Sequence, residues 1–199
     1  MCGRYVTGTD EHDWRSWASL LDLVVDSFPT DLPDAFVPTA SVPIIRRTEA
    51  GPSLDRARWG LAPSWMDRPL SRPPQYNVRV ETAPRKFKKY FANRRCVLPA
   101  SGFWIRRDDA ADQRVFVRVP GQRLFALAGL WTERPLDGGT LRSCTILTVE
   151  AQPELGRFHD RMPVVLGPEG ARRWLAAEVT EAELIELCKA TTELELVAA

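Results

Sequence analysis

The fold is decided in the stretch Arg95-Cys96-Val97-Leu98-Pro99-Ala100-Ser101-Gly102-Phe103-Trp104-Ile105-Arg106-Arg107. It contains two short runs rich in β-branched, aromatic and other apolar residues, Cys96–Pro99 and Phe103–Arg107, which are typical of strands. Three similar runs follow, separated by Asp-Asp, Pro-Gly and Gly-Gly turns: Val115–Val119, Leu124–Trp131 and Ser143–Val149. Such spacing is typical of meandering antiparallel strands that curl into a barrel or a sandwich.

Helical patterns and shorter strands surround this region. Residues 10–25 place Trp14, Trp17 and Leu21 at helical spacing behind an N-cap at Asp10. Further strands and helices are predicted at Val42–Arg47, Leu54–Trp59, Gln75–Val80, Thr82–Asn93, Val164–Leu166, Gly167–Trp174 and Thr180–Leu187, the last with a Thr180/Glu183 capping box. We therefore expect an α+β fold: a single domain over residues 2–199 with an antiparallel barrel-like β-sheet and peripheral helices.

The composition fits one domain with a sizeable core. The chain has 199 residues, 44% of them hydrophobic, and no apolar run long enough for a signal peptide or a membrane span. Its four cysteines are scattered without CxxC spacing, which predicts neither a disulfide framework nor a zinc site and favours a reduced, cytoplasmic setting. No phosphate-loop, dinucleotide-binding, serine-hydrolase or zincin motif occurs. We expect no cofactor and no bound metal.

The basic residues are concentrated in one segment. Residues 68–107 contain eleven Lys and Arg residues and one acid, Glu81, although the whole chain has a net charge of only +1. Such segregation is a footprint of polyanion binding, and the interleaved aromatic residues are compatible with base stacking. A solvated basic helix face would produce the same pattern.

Cys2 is the first candidate for chemistry. Removal of Met1 would leave a free α-amine and a thiol on adjacent carbons, with unperturbed pKa values of about 7.7–8 and about 8.5. This 1,2-aminothiol can capture an aldehyde, because the amine forms an imine and the thiol then closes a thiazolidine ring. Alternatively, the thiol acts as a nucleophile with the terminal amine as its base, or Cys2 has no role.

Two other side chains could take part in proton transfer or hydrogen bonding. His12 lies among charges and is interpreted as an exposed bystander, whereas His159 lies at a loop-to-strand junction. An imidazole there suits a proton carrier, and a structural histidine explains it equally well. Asn77 shares one face of the predicted strand Gln75–Val80 with Arg79, in either a structural or a catalytic role.

Six motifs together resemble those of the SOS response-associated peptidase (SRAP) family, in the same order along the chain. They are Met1–Tyr5, Trp59–Trp65, Tyr76–Thr82, Arg95–Phe103, Ala128–Trp131 and His159–Pro163. The resemblance extends from residue 2 to about residue 175.

The resemblance implies a function. Family members lose Met1 by self-processing, the origin of the peptidase (hydrolase) label, and Cys2 then traps the ring-opened aldehyde of an abasic site in single-stranded DNA as a thiazolidine crosslink. It also implies that Asn77 contacts the abasic sugar and that His159 assists sugar opening and proton transfer. The residues expected to contact DNA are Gly3, Arg4, Trp65, Arg79 and Arg161. The protein is expected to be a cytoplasmic, nucleoid-associated monomer in the DNA damage response, without a membrane partner.

The sequence departs from the family pattern at two places. Ile105 and Arg106 stand where the family has an acid–base Glu and a Trp, and Asp34–Pro38 replaces the usual Tyr-Asn-x-Ala-Pro. Because isoleucine cannot move a proton, three outcomes are open. The crosslink forms but reverses slowly, which is our hypothesis; another carboxylate (Asp160, Glu81 or Asp108) substitutes; or the chain is a divergent single-stranded-DNA-binding module with weak or no chemistry. Besides the crosslinking protein and the binding module, a general cysteine peptidase acting on other proteins is a third possible function.

Overall fold

The computed structural model describes most of the chain: residues 2–8, 10–23, 28–29, 31–67, 70, 73–106, 114–136, 138–190 and 192–198. The strands are β1 (Tyr5–Val6), β2 (Ser41–Thr48), β3 (Gly51–Trp59), β4 (Asn77–Arg79), β5 (Arg95–Ala100), β6 (Gly102–Arg106), β7 (Arg114–Arg118), β8 (Phe125–Leu136), β9 (Gly139–Glu150), β10 (Arg161–Pro163), β11 (Val165–Leu166) and β12 (Glu195–Ala198). The helices are α1 (Glu11–Ser19), α2 (Ala83–Lys86), α3 (Lys88–Asn93), α4 (Pro153–Gly156), α5 (Pro168–Leu175) and α6 (Glu181–Lys189).

Five strands close into a barrel in the order β9-β3-β2-β5-β8, and the β8–β9 pairing completes the ring. β8 and β9 form its longest hairpin, with Gly129 opposite Ile146 and Leu136 opposite Gly139. The α+β class and the barrel-like sheet with peripheral helices are confirmed. The pairings of β3 and β4 with β9 are parallel, however, so the sheet is not antiparallel throughout.

A second sheet, in the order β1-β6-β7-β12, packs beside the barrel. The chain passes directly from β5 in the barrel to β6 in this sheet, with only Ser101 between them. All six residues of β5 are buried. Val97 packs with the helices against Trp174, whereas Cys96 and Leu98 pack into a second apolar cluster that contains Tyr5 and Phe103. The stretch from residue 95 to residue 106 therefore joins both sheets and both cores.

Several element boundaries differ from the sequence-based prediction. Helix α1 ends at Ser19 rather than continuing to residue 25, and Asp22 then adopts a positive φ of 53°; residues 24 and 25 lie outside the described residues. The predicted helix Thr82–Asn93 is two helices broken at Phe87, a buried residue with non-helical backbone angles. The capping box of α6 is confirmed, since Thr180 and Glu183 exchange both hydrogen bonds. β1 and β12 were not predicted.

The barrel is intolerant of any side chain at Gly129. A Cβ atom there would lie 2.6 Å from the carbonyl oxygen of Thr145 and 2.7 Å from Leu98 Cδ1. We expect Gly129→Ala to lower the free energy of unfolding by about 1–3 kcal/mol, as measured by urea denaturation, because a backbone oxygen cannot move aside cheaply. In the matched control Gly139→Ala, a Cβ meets no atom within 4 Å, and the change should stay within about 0.5 kcal/mol. Equal effects would contradict this packing.

Candidate active site

The N-terminal segment is held in place by backbone hydrogen bonds to two other parts of the chain. Tyr5 exchanges backbone hydrogen bonds with Phe36 on one side, and Trp104 N–H donates to the carbonyl of Arg4 on the other. The rings of Tyr5 and Phe36 are 5.2 Å apart between centroids. Residues 2–5 are therefore fixed between the second sheet and the segment before β2.

Cys2 is buried at the start of this segment. Asn77 Nδ2 donates a hydrogen bond of 2.8 Å to the carbonyl oxygen of Cys2, and the Cys2 thiol donates a long one of 3.6 Å to the carbonyl oxygen of Arg4. Asn77 is held by strand β4, which pairs with Ile146 and its neighbours on β9. Within the described part of the chain, the buried Oδ1 of Asn77 has no hydrogen-bond partner. A buried acceptor without a donor costs free energy, so Oδ1 is suited to a ligand.

The surroundings of the Cys2 thiol are apolar. Burial raises the pKa of this thiol to about 12, because a thiolate there would lose its hydration. Ile105 belongs to the same apolar cluster and is fully buried. The thiol is therefore neutral at physiological pH, and position 105 supplies no carboxylate.

His159 has two neighbours at the same ring nitrogen. The N–H of Arg161 donates to Nδ1 at 2.9 Å, and a carboxylate oxygen of Asp160 lies 2.7 Å from Nδ1. The first contact requires an unprotonated Nδ1 and describes the neutral ring, whereas the carboxylate becomes the partner once Nδ1 carries a proton. The Asp160 side chain is 70% exposed. The imidazole is buried at the pocket wall and has a partner available in either protonation state.

A pocket of about 480 Å³ opens beside the N-terminal segment. Its lining combines one imidazole, two aromatic rings and three guanidinium groups, without a carboxylate among the described residues. The lining residues are Gly3, Arg4, Val37, Pro38, Tyr76, Trp104, Arg106, Arg114 and His159. The pocket is therefore cationic and lies next to the buried Cys2.

The predicted site residues do not all meet at this pocket. Gly3, Arg4 and His159 line it, and Asn77 reaches Cys2 directly behind it. Arg79 is exposed on β4, and Trp65 is 58% exposed against Phe87, away from the pocket lining.

Arg161 is committed to an internal ion pair. Its guanidinium is buried and forms two hydrogen bonds of 2.8 Å to the Glu81 carboxylate and one of 2.6 Å to the carbonyl of Thr148. The hydrogen bond from Arg161 lowers the pKa of Glu81, so this carboxylate is ionised and engaged. Of the carboxylates considered as substitutes for the missing Glu, Glu81 is thus occupied, Asp108 lies outside the described residues, and Asp160 contacts His159.

Sequence reasoning missed other pocket residues, above all Arg114. Arg106 was named as a departure from the family pattern within the basic segment 68–107, and Tyr76 was one of the interleaved aromatic residues compatible with base stacking; neither was predicted as a site residue. The available signal was the three arginines, Arg106, Arg107 and Arg114, that flank the turn between the predicted strands Phe103–Arg107 and Val115–Val119.

The described ranges contain no group of three or more His, Cys, Asp or Glu residues arranged to hold a metal ion. Among the same residues, no helix has the length and apolarity needed to cross a membrane.

Comparisons with known proteins agree with this architecture. The profile of the family described as SOS response associated peptidase (SRAP) matches residues 1–199. The abasic site processing protein YoqW of Bacillus subtilis (strain 168) is 28% identical over 200 residues, which cover 94% of this chain and 85% of that protein. The abasic site processing protein YedK of Escherichia coli (strain K12) is 30% identical over 199 residues, with the same coverage of 94% and 85%.

The fold is also present in solved structures. A protein of Bordetella bronchiseptica superposes with a TM-score of 0.80 at 22% sequence identity, covering 100% of this chain and 99% of that one. At this identity the likeness concerns the fold.

The burial of Cys2 makes a prediction for alkaline pH. Its pKa is raised to about 12 in the folded protein, so above pH ~8.5 the unfolded chain releases the thiol proton while the folded chain keeps it. The free energy of unfolding should then fall with pH, by about 1.4 kcal/mol per pH unit for this thiol. In urea denaturation between pH ~9 and ~11, the free energy of unfolding should fall less steeply with pH for Cys2→Ala than for the wild type, by that amount per pH unit. Identical slopes would show that the thiol is not buried as described.

Proposed function

The chain belongs to the SOS response associated peptidase (SRAP) family, and on this basis we propose that it processes abasic sites in DNA by covalent capture at Cys2. The relatives YoqW and YedK, which match almost the whole chain, are named abasic site processing proteins. The observation that carries the proposal is the hydrogen bond of 2.8 Å between Asn77 and the carbonyl of Cys2, beside a cationic pocket.

The proposed reaction needs only the chain and the ring-opened sugar. Hydrolysis of the Met1–Cys2 peptide bond, a self-processing step, frees the α-amine. This amine attacks the C1′ aldehyde of the abasic deoxyribose, and loss of water gives an imine. The Cys2 sulfur then adds to C1′ while its proton moves to the nitrogen, closing a thiazolidine that links DNA to protein.

The neutral state of the thiol is consistent with this order of events. With Met1 in place, burial raises the pKa of the thiol to about 12, which leaves few thiolate ions at neutral pH, whereas an α-amine freed by processing has an ordinary pKa of about 7.7–8. The amine is therefore the first nucleophile, and the thiol delivers sulfur and proton together in the second step. For the same reason a thiolate-based peptidase acting on other proteins is disfavoured.

Asn77 and His159 have separate roles in the proposal. Asn77 fixes the backbone of residue 2 through Nδ2 and offers its unpartnered Oδ1 to the sugar or to the Cys2 amine. His159 lines the pocket and carries a proton for ring opening of the sugar, with Asp160 as the carboxylate that stabilises the imidazolium. The partner is single-stranded DNA, since the ring-opened sugar must enter a pocket of about 480 Å³.

Ile105 determines the fate of the crosslink. Reversal requires protonation of a ring atom of the thiazolidine, and a buried isoleucine in the same apolar cluster as Cys2 offers no proton. We therefore propose a crosslink that forms readily and reopens slowly. The same residue also favours a second candidate, a single-stranded-DNA-binding module without chemistry, which the following experiment separates from the first.

The crosslink itself is testable with an abasic single-stranded oligonucleotide. Protein shown by mass spectrometry to lack Met1 should give a heat-stable adduct on a denaturing gel, and Cys2→Ala should give none. Cys188→Ala is the matched control, because this buried cysteine lies in the other apolar cluster and its loss should leave the adduct unchanged. Absence of any adduct with the processed protein would leave the binding module as the function.

Restoring a carboxylate should accelerate reversal. In Ile105→Glu, release of the DNA from a purified crosslink, followed by transfer of the protein to a labelled competitor, should be faster by about 10²-fold or more, since a positioned acid–base group contributes about 10²–10⁴-fold. Ile105→Gln has the same shape without a titratable proton and should release DNA as slowly as the wild type. Circular dichroism checks that both variants fold. Equal release rates for Glu and Gln would refute the role of position 105.

A further inference from the structure

The hairpin formed by β6 and β7 places two arginines opposite each other at the pocket. The strand register pairs Arg106 with Arg114, and both are exposed. Like charges directly opposite each other on one face of a sheet destabilise the pairing. Such a pair is stabilised when an anion lies between the two guanidinium groups.

The next arginine on strand β7, in contrast, has a carboxylate partner. Arg118 lies four residues after Arg114 on β7, with the same orientation, and its guanidinium makes hydrogen bonds of 2.8 and 3.1 Å to the Glu195 carboxylate on β12. Across the described ranges, Arg106 and Arg114 have no hydrogen bond or ion pair of this kind. Strand β12 thus neutralises the arginine distant from the pocket, whereas the two at the pocket have no such partner among the described residues.

A third guanidinium is held beside them by stacking. Arg4 lies over the Trp104 ring at 4.9 Å from its centroid, and Trp104 packs against Phe116 with 4.7 Å between ring centroids. The Phe116 ring in turn covers Gly102, where any Cβ would lie 2.0 Å from a ring carbon. This stack restricts Arg4, so that less conformational entropy is lost when it binds a ligand.

From this arrangement we infer that Arg106 and Arg114, together with Arg4, form a binding site for the phosphodiester backbone of the DNA strand whose abasic sugar enters the pocket. Guanidinium groups match phosphate oxygens with two parallel N–H···O bonds. The three guanidinium groups in the described lining of the pocket favour an anion. The identity of the anion as DNA rests on the proposed function.

A backbone site of this kind has a definite consequence for recognition. Phosphate contacts position the strand and carry no base information. The two arginines should therefore contribute equally to binding of intact and abasic strands of any sequence. They orient the strand and take no part in bond formation at C1′.

The test is the salt dependence of non-covalent binding to an intact single-stranded oligothymidine without a terminal phosphate. Fluorescence anisotropy should show that the Arg106→Gln/Arg114→Gln variant binds more weakly, and that its slope of log K against log salt concentration is smaller by about 1.4, or about 0.7 per lost contact. Arg118→Gln is the matched control and should keep the slope of the wild type. The double variant should unfold at the same temperature as the wild type or higher, because like-charge repulsion is removed. An unchanged slope would overturn the inference.

Two further comparisons separate the possible failures. The slope is independent of the crosslink for two reasons: intact DNA has no aldehyde, and the measurement is made in a Cys2→Ala background. A reduced slope in the double variant, without any crosslink of the wild type to abasic DNA, would support the phosphate site and refute the proposed function. A crosslink together with an unchanged slope would support the proposed function and refute the phosphate site. If the double variant lost affinity only for 5′-phosphorylated oligothymidine, the site would bind a terminal phosphate and the backbone assignment would be wrong.

Discussion

The hydrogen bond from Asn77 to the Cys2 carbonyl is the interaction on which the site depends. It connects Cys2 to β4, and β4 in turn is part of the barrel through β9. A terminal residue is ordinarily mobile, and its reactive groups would sample many positions. Here the thiol and the adjoining backbone nitrogen are held at one position beside the pocket. Precise placement of this kind is a large part of how a site accelerates a reaction between two groups.

The burial that fixes Cys2 also determines its chemistry. An apolar environment keeps the thiol protonated, and the proposed reaction therefore begins with attack by the amine. Ile105 extends this apolar environment to the position at which the resemblance to the family led us to expect a carboxylate. The proposed reaction therefore assigns proton transfer to the pocket side, at His159 and Asp160. Positive charge is also on that side, at Arg4, Arg106 and Arg114. The site thus separates an apolar environment around Cys2 from a polar pocket lined by three guanidinium groups and an imidazole.

Local pattern predicted much of this architecture, and long-range pairing explains what it missed. The strands between residues 95 and 150 follow from β-branched runs and turn residues. Cys2 became a candidate through the chemistry of an aminothiol, and its role stays a prediction. Strand β12 was missed because it exists only by pairing with β7. Arg161 was expected at the DNA, but its partner Glu81 lies 80 residues away in the chain. The opposition of Arg106 and Arg114 depends on the register across a hairpin, which spacing alone does not specify.

The most direct test of covalent capture is a carbon NMR spectrum of the adduct formed with DNA labelled with ¹³C at C1′ of the abasic site. A thiazolidine predicts a single tetrahedral C1′ signal whose attached nitrogen and sulfur belong to Cys2, unchanged after addition of a reducing agent for imines. A trigonal imine carbon that disappears on reduction would show that the thiol takes no part. The signal of the free sugar alone would show that the chain binds abasic DNA without forming a bond.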